Sequence, residues 1–338
     1  MSPTRTPATE AQYRRRASAI CDQAARTLGY SNADYAPNKA IADVLIAQKA
    51  GMSFNTWHQK RAALLFAWTE QLETAQDRLS AEDLRAAIAT LRAEPQTGAK
   101  RRGEATSANK AKRVRDQDAE RLLAVLDEHV GSWKWAAATA QWIRASALTG
   151  LRPSEWARAG LIHENGATIL VTFNGKLGNQ RANGMTRRLQ FDPANTTPED
   201  LAAVEAHLAF LDQARLEHRL EAVQDEVKRT LRRANEVAFP DLKAQAAAGK
   251  TGGRKAITLY SFRHQFSADA KKAGLTQAEV GALLGHASDA TAGKHYARRR
   301  SGSKPLKVAP IASEVATVRR RAKPTFVPQH LRQDADLE

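Results

Sequence analysis

A stretch that alternates in the manner of a β-strand constrains the fold of this chain more than any other feature. Ala167 to Phe173 is a β-branched run (Thr168, Ile169, Leu170, Val171, Thr172, Phe173), and Asn174-Gly175 follows it. Asn-Gly supplies the positive φ angles that a tight hairpin turn needs. Arg187 to Phe191 is the expected return strand. No strand pattern precedes residue 160. Elsewhere apolar residues recur at helical spacing, as in Trp57, Leu64, Leu65, Trp68 and Leu72. The expectation is a mostly α fold with a small antiparallel β-hairpin or sheet, an α+β class.

The punctuation divides the chain into two lobes. Residues 10 to 93 read as a helical unit, with Gly29 and Gly51 ending early helices. Ser80 before Ala81, Glu82 and Asp83 reads as a helix N-cap leading into Leu84, Ile88 and Leu91. Residues 94 to 112 read as a linker, broken by Pro95, Gly98 and Gly103. A second domain is expected over residues 113 to 300. Its helices should cover Asp116 to His129 and Trp133 to Leu148. A capped start at Thr197-Pro198-Glu199-Asp200 opens a long helical region reaching about Val237. Further helices should follow Ser261 and Thr276, the latter with Glu279 completing a capping box. Residues 301 to 338 form a polar tail containing Arg319, Arg320 and Arg321.

Charge limits the partners. Lys and Arg total 52 against 36 Asp and Glu, a formal net charge of +16. Such an excess points to a polyanion, nucleic acid ahead of an acidic membrane surface. Seven cations (Lys100, Arg101, Arg102, Lys110, Lys112, Arg113 and Arg115) crowd Ala99 to Arg115, opposed by Glu104 alone. A charge run is commonly a solvated face; with this overall charge, a linker that grips nucleic-acid phosphates is the better reading. The single cysteine, Cys21, excludes an intrachain disulfide and a cysteine-based zinc site. Met1 to Arg16 lacks the apolar core of a secretory signal, and no apolar run suffices to span a bilayer. The expected location is the cytoplasm, in association with the nucleoid.

Four short segments hold the residues suited to chemistry. Thr149 to Glu155 places Arg152 at a loop with Pro153, expected at a helix N1 position, and with Glu155 able to hold the guanidinium. Lys176 stands just past the Asn174-Gly175 turn. Tyr260, Arg263 and His264 share a third segment. Leu284-Gly285-His286 precedes His295-Tyr296 in a fourth. Singly, each has an ordinary structural explanation: a solvated ion pair, a surface lysine, a C-cap histidine, a half-buried tyrosine.

Together, in this order and spacing, they resemble the tyrosine recombinase family, also called phage integrases. The resemblance covers residues 113 to 300 and extends more loosely to 10 to 93, similar to the family's helical core-binding domain. It assigns Arg152 and Arg263 to the two arginines, Lys176 to the hairpin lysine, His264 and His286 to the two histidines, and Tyr296 to the nucleophile. Two positions depart from the pattern. Tyr260 stands where the family has His or Lys, and a phenol donates a hydrogen bond but carries no positive charge at pH 7. The interval from His286 to Tyr296 is one residue longer than expected.

The resemblance implies a recombinase or integrase that cleaves and rejoins double-stranded DNA through a 3′-phosphotyrosyl link, without ATP or metal. A phosphodiester repels nucleophiles, and a tyrosine with a pKa near 10 is a weak one. The arginines would neutralise the phosphate, His286 would add a hydrogen bond, and Lys176 would protonate the leaving 5′ oxygen. It also implies a homo-tetramer on synapsed DNA, with residues 301 to 338 docking on a neighbour and accessory DNA-bending proteins assisting. Two other readings share the chemistry or the fold: a type IB topoisomerase, and a DNA-binding protein without catalysis.

Overall fold

The computed structural model describes residues 7–99, 110–175, 182–242, 254–289 and 302–320. The chain falls into two compact units, divided between Asn109 and Lys110.

The first unit is helical: α1 (Pro7–Thr27), α2 (Asn38–Ala47), α3 (Phe54–Thr74) and α4 (Arg78–Ala93). The apolar stripe read from α3 faces inward, where Trp57, Leu64 and Trp68 meet Ile20, Ile41, Leu45, Leu84, Ile88 and Leu91. The cap of α4 is not Ser80 but Asp77, three residues earlier. Asp77 has extended backbone, and its carboxylate accepts from the Ser80 N–H at 2.7 Å, so the helix begins at Arg78. Lys49 is a buried cation with no forewarning in the sequence. Its Nζ donates to Glu94 Oε1 and to the Pro95 carbonyl, each at 2.6 Å, and lies 5.1 Å from the Trp57 ring centre. It thereby fastens the end of α4 and the residues after it.

The second unit begins with α5 (Asp116–Glu128) and α6 (Ala136–Thr149). The strands β1 (Gly160–Glu164), β2 (Ala167–Phe173) and β3 (Thr186–Phe191) follow, then α7 (Pro198–Leu216), α8 (Leu220–Ala238), α9 (Leu259–Lys272) and α10 (Gln277–Leu283). The last described elements are β4 (Val308–Pro310) and α11 (Ala312–Thr317). Among the described residues the strands form one antiparallel sheet in the order β1-β2-β3-β4, larger than the hairpin that alternation alone reveals. Ile169 pairs with Gln190 and Leu170 with Leu189 between β2 and β3. β1 has five residues and β4 three, too few to show a strand period. The mostly helical fold with a small antiparallel sheet is as the sequence predicts.

Two boundaries differ from expectation. α9 starts at Leu259, because Thr258 is its cap and Ser261 the reciprocal N3 residue. Residues 110–112, expected at the end of a linker, are built into the second unit: Ala111 N–H donates to the Ala256 carbonyl at 2.9 Å.

Within the tail, residues 302–320 are seated on their own chain. Phe191 pairs with Val308 and Leu189 with Pro310. Asn183 Nδ2 donates to the Glu314 carbonyl at 2.8 Å, Thr317 Oγ1 donates to Asn183 Oδ1 at 3.0 Å, and Arg319 N–H donates to the Ala287 carbonyl at 3.0 Å. Val318 is buried against Ala278 and Ala282. A sheet edge left open at β3 explains why the chain returns to cover it. Residues 321–338 lie outside the described residues.

No helix among the described residues is long and apolar enough to cross a membrane. In the core of this unit His207 is fully buried between the rings of Trp142 and Trp156, 4.8 and 4.7 Å between centroids. Neither ring nitrogen has a hydrogen-bond partner among the described residues. Burial pushes its pKa down to about 3. The unfolded chain therefore binds a proton near pH 6.5 that the folded chain refuses until about pH 3. Stability from this group is complete above pH 6.5 and falls as pH drops towards 3. Urea titrations at pH 7 and pH 5 are expected to differ by about 2 kcal/mol through His207. His207→Phe should remove that share; an unchanged pH dependence in the variant would refute the assignment.

Candidate active site

The site forms where four loops and helix ends converge on one carboxylate. α6 ends at Gly150, whose φ of +62° turns the chain sharply. No helix follows at Pro153. Residues 151–155 instead make a turn, closed by the Glu155 N–H donating to the Arg152 carbonyl at 2.9 Å, and only a single 3-10 turn, Trp156–Arg158, comes after. The Glu155 carboxylate accounts for this difference: its Oε2 accepts from the Arg152 N–H at 2.8 Å, so a side chain closes the turn.

Glu155 is a hub. Its carboxylate meets the guanidinium groups of Arg152, of Arg187 at 2.5 Å and of Arg263 at 3.5 Å. The Gly175 N–H donates to Oε1 at 3.3 Å, and Thr172 Oγ1 donates to the Glu155 carbonyl at 2.7 Å. One residue thus ties the two motif arginines to the end of β2, immediately before Lys176. Glu155, Arg187 and Arg263 are each at most 1% exposed, and Arg152 is 7% exposed. Burial alone would raise the Glu155 carboxyl, but Arg187, Arg263 and Arg152 hold it well below the usual carboxylate range. It is ionised at neutral pH.

Arg263 comes from the second turn of α9. Its Nη1 donates to the Gly150 carbonyl at 2.6 Å and its Nη2 to the Leu284 carbonyl at 2.5 Å. The guanidinium fork therefore joins the end of α6 to the end of α10. His286 follows the left-handed Gly285 (φ +62°), with its N–H donating to the Gly281 carbonyl at 2.8 Å. A Cβ at Gly285 would fall 2.0 Å from Asn174 Oδ1, so only glycine lets the hairpin approach here. Burial, then the charges of Arg263, Arg152 and Arg187, push His286 down to about 2. Its ring is neutral at pH 7, with one nitrogen donating and one accepting.

The other expected residues fall as follows. Tyr260 lies one turn before Arg263 on α9, and its ring meets that of His264 edge-on at 5.2 Å. Burial, then Lys112 and Arg263, push His264 down to about 4. Arg115 is not a free cation: Asp118 takes its Nε at 2.7 Å. Lys110 and Arg113 are exposed, and Lys112 stands beside them. Lys176, Tyr296, Lys100, Arg101 and Arg102 lie outside the described residues. No cluster of three or more metal-ligating side chains occurs among the described residues.

Arg187 escapes the sequence reading, which places it only as the first residue of a return strand. Its signal is nevertheless present. Period-two alternation puts Arg187 on the same face of β3 as Leu189 and Phe191, and that face is buried.

The phage integrase family model matches residues 112–302. No curated protein matches the chain. Among solved structures the chain is similar to a lambda integrase dimer bound to a COC' core site, at 15% identity over 90% of this chain and 94% of that one, with a TM-score of 0.45. It is also similar to XerH site-specific recombinase bound to palindromic difH substrate in a post-cleavage complex, at 17% identity over 78% and 69%, with a TM-score of 0.40. A third is the Tn1549 transposon integrase in complex with transposon right end DNA, at 14% identity over 87% and 90%, with a TM-score of 0.38. None of these three reaches a TM-score of one half, so the weight lies on the match over residues 112–302.

Proposed function

We propose that this chain, which belongs to the phage integrase family, is a site-specific recombinase that cleaves and rejoins double-stranded DNA through Tyr296. The observation that carries the reading is the convergence of Arg152, Arg263 and His286 around the Glu155 hub. Two guanidinium charges and a neutral hydrogen-bonding ring, held in one buried cluster, suit a phosphate that gains charge in its transition state. The Tyr296 oxygen attacks the phosphorus and gives its proton to water. The bond to the 5′ oxygen breaks, and Lys176 gives that oxygen a proton. The ester energy is kept in the 3′-phosphotyrosyl link, so rejoining is the reverse attack by a 5′ hydroxyl.

DNA binding draws on the net charge of +16 and on the basic run of Lys110, Lys112 and Arg113. Contacts of this kind go to phosphates, so affinity should fall steeply with salt. The assembly we infer is a homo-tetramer on synapsed DNA, assisted by DNA-bending proteins. Because residues 302–320 complete the catalytic unit, a truncation meant to test assembly must begin after Arg320.

The test is covalent trapping. On a duplex nicked just beyond the cleavage point, the wild-type protein should accumulate a covalent DNA adduct stable in detergent. Tyr296→Phe should form none. An undiminished adduct in that variant, or none with wild type on its own attachment site, overturns the proposal. Joining of two different duplexes, as opposed to relaxation of one supercoiled circle, separates a recombinase from a type IB topoisomerase.

A further inference from the structure

The buried cluster holds more positive charge than its own carboxylate requires. Arg152 and Arg263 already flank Glu155, yet β3 delivers Arg187 to the same carboxylate. Among the described residues, three guanidinium groups around one ionised carboxylate leave an excess of two positive charges. The next carboxyl on hand, Glu314 of α11, is pushed up to about 7 by burial, against the pull of Arg187 and Arg188, so it is only partly ionised at neutral pH. Arg187 is 1% exposed, and only its Nη2 is engaged. Nothing among the described residues accepts from its Nε or its Nη1.

Stability does not explain this arrangement. A buried ion pair roughly breaks even against an apolar replacement, and a surplus buried cation costs more. Leu189 and Phe191, on the same face of the same strand, show what packing alone would place there. An excess of two positive charges does match an anion that carries two negative charges. A phosphodiester has one negative charge, and its pentacoordinate transition state has two. The surplus is therefore worth most at the transition state. Tyr260, uncharged at pH 7, supplies no cation from α9.

We propose that Arg187 is a third electrostatic arginine of the cleavage reaction. By sharing Glu155 Oε2 it holds the carboxylate that Arg152 and Arg263 also meet, and its own charge adds to the positive field of the cluster. It acts through Glu155 and that field, as a positioning residue. This rests on the reading of the site as a DNA phosphoryl-transfer centre.

The experiment compares cleavage of two nicked duplexes, one with an ordinary scissile phosphate and one with a methylphosphonate, which lacks the negative charge. Arg187→Met should cut the ordinary duplex about 10²-fold more slowly than wild type, the size of effect seen when one transition-state donor is removed. Its affinity for uncleaved DNA should stay within about threefold, because a residue this buried makes no share of the salt-dependent grip. On the methylphosphonate the deficit should shrink by about tenfold or more, because the charge that Arg187 answers is gone. Arg187→Lys keeps the charge and should recover most of the rate. Arg187→Gln keeps a donor for Glu155 without the charge, and replaces the Met variant in every comparison if that one does not fold. An equal deficit on both duplexes means a structural role and overturns the proposal, as does a variant that cleaves as fast as wild type. Absence of any wild-type adduct overturns both this proposal and the reading on which it rests. A normal wild-type adduct with an unaffected Arg187 variant overturns this one alone.

Discussion

Replacing Glu155 by alanine is expected to cost the second unit about 3–5 kcal/mol, the penalty for leaving buried charge without its counterion. Three guanidinium groups lose the carboxylate they share, and none can turn to water, since Arg187 and Arg263 are at most 1% exposed and Arg152 is 7% exposed. The turn at residues 151–155 also loses the acceptor of the Arg152 N–H, and the hairpin loses its tie at Gly175. Domains of this size are stable by only about 5–15 kcal/mol, so the variant should be close to unfolded at 37 °C. Glu155→Gln keeps the acceptor and the shape and should fall between the two. Urea denaturation followed by tryptophan fluorescence measures this well, since Trp142 and Trp156 are buried in the same unit. A loss below about 1 kcal/mol in Glu155→Ala would mean that the arginines find other partners and that the hub is not what organises the site.

Gly150→Ala is expected to be nearly as damaging, by a different route. The backbone there has φ +62°, which costs an L-residue about 1 kcal/mol. The steric clash costs more. A Cβ would stand 2.3, 2.6 and 2.9 Å from three atoms of the Phe266 ring, and that ring is itself buried. Either α6 or α9 must move. The Gly150 carbonyl is also the acceptor for Arg263 Nη1 at 2.6 Å, so the displacement reaches the guanidinium directly. We expect a loss of about 2–4 kcal/mol from overpacking and strain combined, together with a cleavage rate at least tenfold lower at a temperature where the variant is still folded. Phe266→Leu should restore part of the stability in the double variant by making room. Simple additivity of the two losses would show that the clash is not the cause.

These two positions illustrate how far the sequence reaches. Gly150 and Glu155 both sit in the string from Thr149 to Glu155, which is legible in the sequence and which the fold places beside Arg187 and Arg263. The local shape is what that string misstates, since it suggests a helix opening at Pro153. Proline at such a place fits a helix start and a turn equally well. Glu155 makes the choice, with its carboxylate held in place by arginines from β3 and α9. The same limit applies to the cap of α4. Asp77 and Ser80 are both good capping residues, and only the packed helix shows which of them takes the free N–H. Lys49 and β4 leave no readable signal, because a buried lysine and a three-residue strand look like surface until their partners are known.

The sequence by itself determined the mostly helical class with its small antiparallel sheet, and the family to which residues 112–302 belong. It also set the order of the chemical residues along the chain. Periodicity, turn chemistry and motif spacing are local properties and survive without a fold. The tertiary structure decided what those residues share: one carboxylate among three arginines, a histidine kept neutral by burial beside them, and a tail that closes the sheet edge on its own chain. Charge compensation and burial depend on distances between segments far apart in the chain, as with Glu155 and Arg263. No local pattern encodes those distances, which is why Arg187 shows its place only in the folded chain.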